Sequence, residues 1–219
     1  MSDFKFNGQK LDVDLIASIA KLLDTNGIPN VMWGPYVLAC YGAPLVLQLI
    51  DRAREVLLAA NFVPCQDDCR LVRPVCSLPR APAPDDPSYM LVTDDRLDDY
   101  DPRMHLGRVP YTHYPVKIPT LPRYAESLAY GYLREQSPEG EGHNLRAGFF
   151  LGEMTYIGQY CKLRVADLDE RRIRRFWRLR YHPSGYHPLF RYSARLAAEL
   201  RTANFFPEEE REGEAQENT

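Results

Sequence analysis

Residues 30–51 read NVMWGPYVLACYGAPLVLQLID. A short apolar run from Asn30 to Trp33 meets Gly34-Pro35, a helix-sized segment follows and closes at Gly42, and a second apolar run ends on Asp51. Pro35 suits the first turn of a helix, where no amide hydrogen is missed, and Gly42 can take the left-handed backbone that ends one. The stretch predicts strand, turn, short helix and strand, which is the outline of a nucleotide-binding turn.

Working outward, LDVDLIASIAKLLDT (11–25) sets Leu11, Leu15, Ile16, Ile19, Leu22 and Leu23 at helical spacing, and Asn26-Gly27 follows as a stop. Downstream, IDRAREVLLAANF reads as an amphipathic helix with Ile50, Ala53, Val56, Leu57 and Ala60 inward. Helix, strand, short helix, strand, helix is an α/β arrangement. From 62 to 118 the chain turns to Pro-punctuated β segments, LVRPV, YMLVT and VPYTHYPVKIP, separated by the loop LPRAPAPDDP and the acidic run DDRLDDYD. After Pro119 helices take over: LPRYAESLAYGYLRE (121–135), LRAGFFLGEMTYIGQYCK (145–162), DLDERRIRRFWRLRY (167–181) and LFRYSARLAAELRTANF (189–205). The expected layout is an α/β (α+β) domain over 10–118 with a mixed β-sheet and flanking helices, a helical half over 119–206, and a disordered acidic tail over 207–219.

At 219 residues and 45% hydrophobic composition the chain can build a proper core. A net charge of −3 and a pI near 6.0 provide no global field for nucleic acid or an anionic membrane. No apolar stretch reaches the roughly 18–20 residues of a membrane span, and MSDFKFNGQKLDVD lacks the basic start and apolar block of a signal peptide. Five Cys suit a reducing compartment better than a disulfide framework, so the expected location is cytoplasmic or nuclear.

The segments GIPNVMWGPYVLACYGAP and AREVLLAANFVPC, with the later VKIPTLPRYAESLAYGYLR, carry a resemblance. In this order they resemble the nucleotidyltransferase-fold proteins abundant in filamentous fungi, over roughly residues 15–135. The resemblance implies a nucleotidyltransferase-like mixed sheet, with a candidate cleft at Trp33, Gly34, Tyr36, Tyr41 and Asp51. Active members use a Gly-Gly or Gly-Ser turn whose amides and hydroxyl approach the triphosphate. Their next strand presents two carboxylates one residue apart, so both face one side and hold Mg²⁺. Here the turn is Gly34-Pro35, which removes an amide donor and supplies no hydroxyl, and the i−2 neighbour of Asp51 is Leu49. The acid-bearing segment is also shorter by several residues than in the family. The resemblance therefore implies a catalytically degenerate member with no metal site, Mg²⁺ entering only if a nucleotide site survives.

Other constellations have simpler structural readings. Asp94-Asp95 follows a strand-like run and invites a cation, yet Arg96 and Arg103 sit in the same acidic run, which reads better as a solvated loop. Cys65, Cys69 and Cys76, with His105 and His113 as further ligands, lack the tight pairs of a structural zinc site and read as free thiols. His182 and His187 flank HPSGYH without a nearby acid and read as surface loop residues. On the last-but-one helix, Arg171, Arg174, Arg175 and Arg178 share one side as candidate phosphate binders, while Ile173, Phe176, Trp177 and Arg180 share another. The acidic run and the tail are their expected intramolecular partners, with Trp177 in the core. The leading expectation is a non-catalytic nucleotide or small-molecule binding or regulatory protein. Its alternatives are a metal-free enzyme reusing the interdomain cleft, and an RNA-binding module using helix 171–180.

Overall fold

The computed structural model describes residues 12–28, 30–43, 86–109, 114–136, 145–183 and 186–206. Helix α1 (Val13–Thr25) begins at Asp12, whose carboxylate accepts the Leu15 amide at 3.0 Å, and ends at Asn26-Gly27 with Gly27 at φ 68°. Helix α2 (Pro35–Cys40) has Pro35 in its first turn and closes at Gly42, φ 86°. Helices α3 (Leu121–Arg134), α4 (Leu145–Tyr160), α5 (Arg171–Arg180) and α6 (Tyr186–Thr202) follow, with one 3-10 turn at Val165–Asp167 between α4 and α5. The four later helices lie near where the periodicity predicts, but α5 starts at Arg171 rather than at 167, and α6 starts three residues early, so the backbone of His187 belongs to its first turn while His182 is exposed. Among the described residues no helix is long and apolar enough to cross a membrane.

The described residues form a helix-rich α+β structure whose sheet has two antiparallel strands, β1 (Tyr89–Leu91) and β2 (Lys117–Pro119), in the register Tyr89↔Pro119, Met90↔Ile118. The ladder continues irregularly where the Val92 amide donates to Val116 at 2.9 Å and Val109 donates to Val92 at 3.0 Å. The run Asn30–Trp33, expected as a strand, is not one. Its Met32 amide donates to the Lys117 carbonyl at 2.8 Å and then the chain turns away at Gly34. A β-prone run becomes a strand only when a partner pairs along its length, and β2 offers three residues. The expected strand and helix over 44–62 and the LVRPV strand lie outside the described residues.

One apolar cluster runs from Ala17 in α1 through Val37, Ile118 and Leu128 to Leu200 in α6. Helix α3 sits at its centre, with Tyr124, Ala125, Leu128, Ala129 and Leu133 fully buried. Against it α4 presents Ala147, Phe150, Met154 and Ile157, α5 presents Ile173, Phe176 and Trp177, and α6 presents Leu189, Leu196 and Leu200. The wheel reading of α5 holds, including Arg180, whose guanidinium crosses to the Leu151 carbonyl at 3.0 Å and the Thr155 hydroxyl at 2.6 Å. Helix α1 departs from its sequence reading: Ala17 and Ala20 are buried while Ile19 is 40% exposed. Its inward face is the one with room for close approach.

Glycine matters at Gly131. A Cβ there would fall 2.7 Å from two ring carbons of Phe150, which is itself buried in the α3–α4 seam. We expect Gly131→Ala to lower the urea midpoint, because overpacking of about 1–3 kcal/mol exceeds a helix-propensity gain of about 1 kcal/mol. A raised midpoint would mean that the α3–α4 seam is not close-packed.

Candidate functional site

The Gly34 turn is already occupied by the protein itself. Gly34 adopts φ 90°, ψ −161°, a conformation open to glycine, and its carbonyl accepts the Val37 amide at 2.9 Å to start α2. Its backbone faces the Tyr124 hydroxyl of α3. Tyr124 in turn donates to the Glu153 carboxylate of α4, and its ring packs on Trp33 with centroids 4.6 Å apart. The Trp33–Tyr124–Glu153 contacts hold this turn onto two core helices. Burial pushes the Tyr124 hydroxyl well above its ordinary range, with Glu153 adding to the effect. Burial likewise pushes the Glu153 carboxyl up to about 7, its hydrogen bond from Tyr124 offsetting only part.

An open cleft lies at the other end of α2, where Tyr41 lines it. Its volume is about 470 Å³, and its wall includes Tyr41, Arg96, Thr120, Lys162, Arg164 and Asp167. The Tyr41 hydroxyl donates to the Pro119 carbonyl at 2.8 Å and sits 3.1 Å from Met90 Sδ, which ties α2 to both strands. Burial raises its pKa above the ordinary tyrosine value. The amino end of α3 opens here: Thr120 is its N-cap, with no side-chain cap bond, and its own amide donates to Ser88 at 2.8 Å. A helix start of this kind favours an anion. Three cations converge on the same space. Arg96 pairs with Asp94 at 2.8 Å, Lys162 with Asp98 at 3.1 Å and Arg164 with Asp167 at 2.9 Å. These are exposed pairs of the kind worth about 0–1 kcal/mol, so a ligand phosphate can displace their carboxylates.

Of the other sequence-predicted cleft residues, Trp33 and Gly34 belong to the Tyr124 packing, Tyr36 is half-buried in the first turn of α2, and Asp51 lies outside the described residues. Cys65, Cys69, Cys76 and His113 also lie outside them. The acids at 94–101 are engaged locally. Asp94 holds Arg96, which keeps its carboxyl below the usual range, and Arg108 bridges Asp95 and Asp99, the latter at 2.7 Å. Among the described residues no group of three His, Cys, Asp or Glu could hold a metal ion. Cys40 and Cys161 are free, and burial pushes both thiols up to about 12, which makes them poor nucleophiles near neutrality.

Of the two expected partners of the α5 arginines, the tail lies outside the described residues and the acidic run does not pair with them. It pairs with Arg96, Arg108 and Lys162, because those cations lie within its own loop and at the end of α4. On α5, Arg172 pairs with Glu170 at 3.0 Å, while Arg175 lies over the Tyr192 ring of α6 at 5.0 Å. Arg171, Arg174 and Arg178 make no ion pair with the described residues. Trp177 is fully buried, as expected, so it offers no face for stacking.

Sequence reasoning missed Arg96, Lys162 and Arg164 as a set, because Arg96 lies in the acidic loop while Lys162 and Arg164 follow α4, far along the chain. It also missed Tyr124 and Glu153. A signal for Glu153 was present: it is the one carboxylate in the apolar helix LRAGFFLGEMTYIGQY. Comparison with protein-family models, with curated proteins and with solved structures returns no match.

Proposed function

We propose that this chain is a non-catalytic binding protein on a degenerate nucleotidyltransferase-like scaffold, taking a nucleotide or a similarly phosphorylated small molecule in the Tyr41 cleft. The observation that carries the reading is the meeting of Arg96, Lys162 and Arg164 with the uncapped start of α3. Each of the three cations has a carboxylate partner, of which only Asp167 lines the cleft itself, and Tyr41 and Thr120 add hydroxyls. The scaffold reading draws on the motif order of residues 15–135. The non-catalytic reading draws on the packing of the Gly34-Pro35 turn against Tyr124 and on the lack of an acid two residues before Asp51. A metal-free enzyme would need a base or nucleophile in the cleft. The candidates there, Tyr41 and Asp167, are engaged by Pro119 and Arg164.

Thermal unfolding with ATP, GTP, CTP and UTP, each with Mg²⁺ or with EDTA, tests this. At about 100 times its dissociation constant a ligand adds roughly 2.7 kcal/mol to the folded state. We expect at least one nucleotide to raise Tm without needing Mg²⁺, and Lys162→Ala with Arg164→Ala to remove the shift. A shift that requires Mg²⁺ and disappears in Asp51→Ala would replace this reading with a live metal site. No shift with any of the four would remove nucleotides from the cleft.

A further inference from the structure

Helices α5 and α6 together carry nine arginines, no lysine and a single carboxylate, Glu199. Two of the arginines are used structurally: Arg180 on α4, and Arg201, which donates to the Arg134 carbonyl at 2.9 Å and so caps the end of α3. Two more have carboxylate partners, Arg172 with Glu170 and Arg195 with Glu199 at 3.4 Å. That leaves Arg171, Arg174, Arg175, Arg178 and Arg191 without a carboxylate among the described residues. This positive face belongs to a protein of net charge −3, so the charge is segregated rather than absent.

The geometry of the face is a groove. A cavity of about 450 Å³ runs between the helices, with Leu179 and Pro188 as apolar wall and Arg175, Arg191 and Arg195 around it. Arg175 and Arg195 both lie over the Tyr192 ring, at 5.0 and 5.6 Å from its centroid. Tyr192 is held from below, its hydroxyl donating to the Arg172 carbonyl at 3.0 Å. One ring thus sets two guanidiniums at the groove. Cation–π attraction favours each, while like-charge repulsion opposes holding them together. An anion in the groove removes that conflict.

A single small anion does not use the whole face. Arg171 to Arg178 span about 10 Å of helix at a rise of about 1.5 Å per residue. One strand of nucleic acid carries a charge every ~3.4 Å, so several phosphates match that length. Guanidinium forks suit the paired oxygens of phosphate. Trp177 is buried and Tyr192 is covered by two guanidiniums, so neither of these rings offers a face for base stacking in the groove.

We propose that the α5–α6 groove docks a single-stranded nucleic acid through its phosphate backbone, without regard to base. This site is separate from the Tyr41 cleft and does not depend on it.

Fluorescence anisotropy of the full chain with labelled 20-nucleotide oligo-U and oligo-dT tests it. Both should bind at 50 mM salt. For three to four phosphates engaged, log K should fall against log salt with a slope of about −2 to −3, at about 0.7 per phosphate. Arg178→Ala with Arg191→Ala should weaken binding at least tenfold and flatten the slope by about 1.4, with Tm unchanged because both side chains are exposed. Lys162→Ala should leave oligonucleotide binding intact. Three results would overturn the proposal: no binding at 50 mM salt, binding indifferent to the double substitution, or equal competition by polyglutamate, which would assign the groove to an acidic peptide segment.

Discussion

Trp177→Ala is expected to cost about 3–5 kcal/mol of stability. Trp177 is fully buried on the inward side of α5, beside Phe176 and with the Tyr181 ring centred 5.7 Å away. Removing the indole opens a large cavity at the junction of α5 with the central helix, and the rigid helices around it relax only in part. Its Nε1 has no partner among the described residues, so Trp177→Phe removes an unpaired donor along with some volume. That milder change should cost less than about 2 kcal/mol. Urea unfolding of both variants measures the two costs. The phenylalanine variant should also bind oligonucleotide as the parent does, since the groove cations lie on the other side of the helix. A selective loss of oligonucleotide binding in a stable Trp177→Phe variant would move Trp177 from the core to the interface.

The second large effect concerns pH. The Glu153 carboxyl has an ordinary pKa of 4.5 and is pushed up to about 7 in the fold by burial, with the Tyr124 hydrogen bond offsetting part. One of its oxygens, Oε1, has no partner among the described residues. Between these two values the unfolded chain has lost its proton while the folded chain keeps it. The unfolded state therefore binds fewer protons, and stability falls as pH rises through that window. A shift of this size corresponds to on the order of 3 kcal/mol, all of it lost once pH exceeds the folded value. Chemical denaturation at pH 5 and pH 8 should show the decline, and Glu153→Gln should flatten it and leave the variant more stable than the parent at pH 8. An equal decline in both proteins would assign the pH dependence to other groups. The same network holds the Gly34 turn, so loosening of Trp33 and Gly34 above neutrality would accompany the loss.

Much of the local structure was legible in the sequence because its causes lie within a few residues. Gly27 and Gly42 stop helices with a left-handed backbone, and Pro35 starts α2. The apolar spacing of α5 predicted Ile173, Phe176 and Trp177 as buried. Where a residue's role depends on what stands opposite, sequence reasoning went astray. Ile19 reads as apolar and inward, yet α1 turns its alanines to the core. Asn30–Trp33 has strand composition but finds a single hydrogen bond to β2, at Met32.

The candidate site divides in the same way. Tyr41 was legible as a cleft residue, but its partner Pro119 stands 78 positions along the chain. Gly34 was legible as a special turn, but what packs against it was decided by the docking of Tyr124 from α3. By itself the sequence determined that these helices exist and several of their stops, that Asp51 lacks an acid two residues before it, and that the arginines of α5 form a stripe. Only the tertiary structure decided that Arg96, Lys162 and Arg164 meet at the start of α3, and that Arg175, Arg191 and Arg195 gather around one tyrosine. Short-range hydrogen bonds and backbone preferences act over about four residues and are written locally. The company a charged side chain keeps follows from packing between elements, which no local pattern specifies.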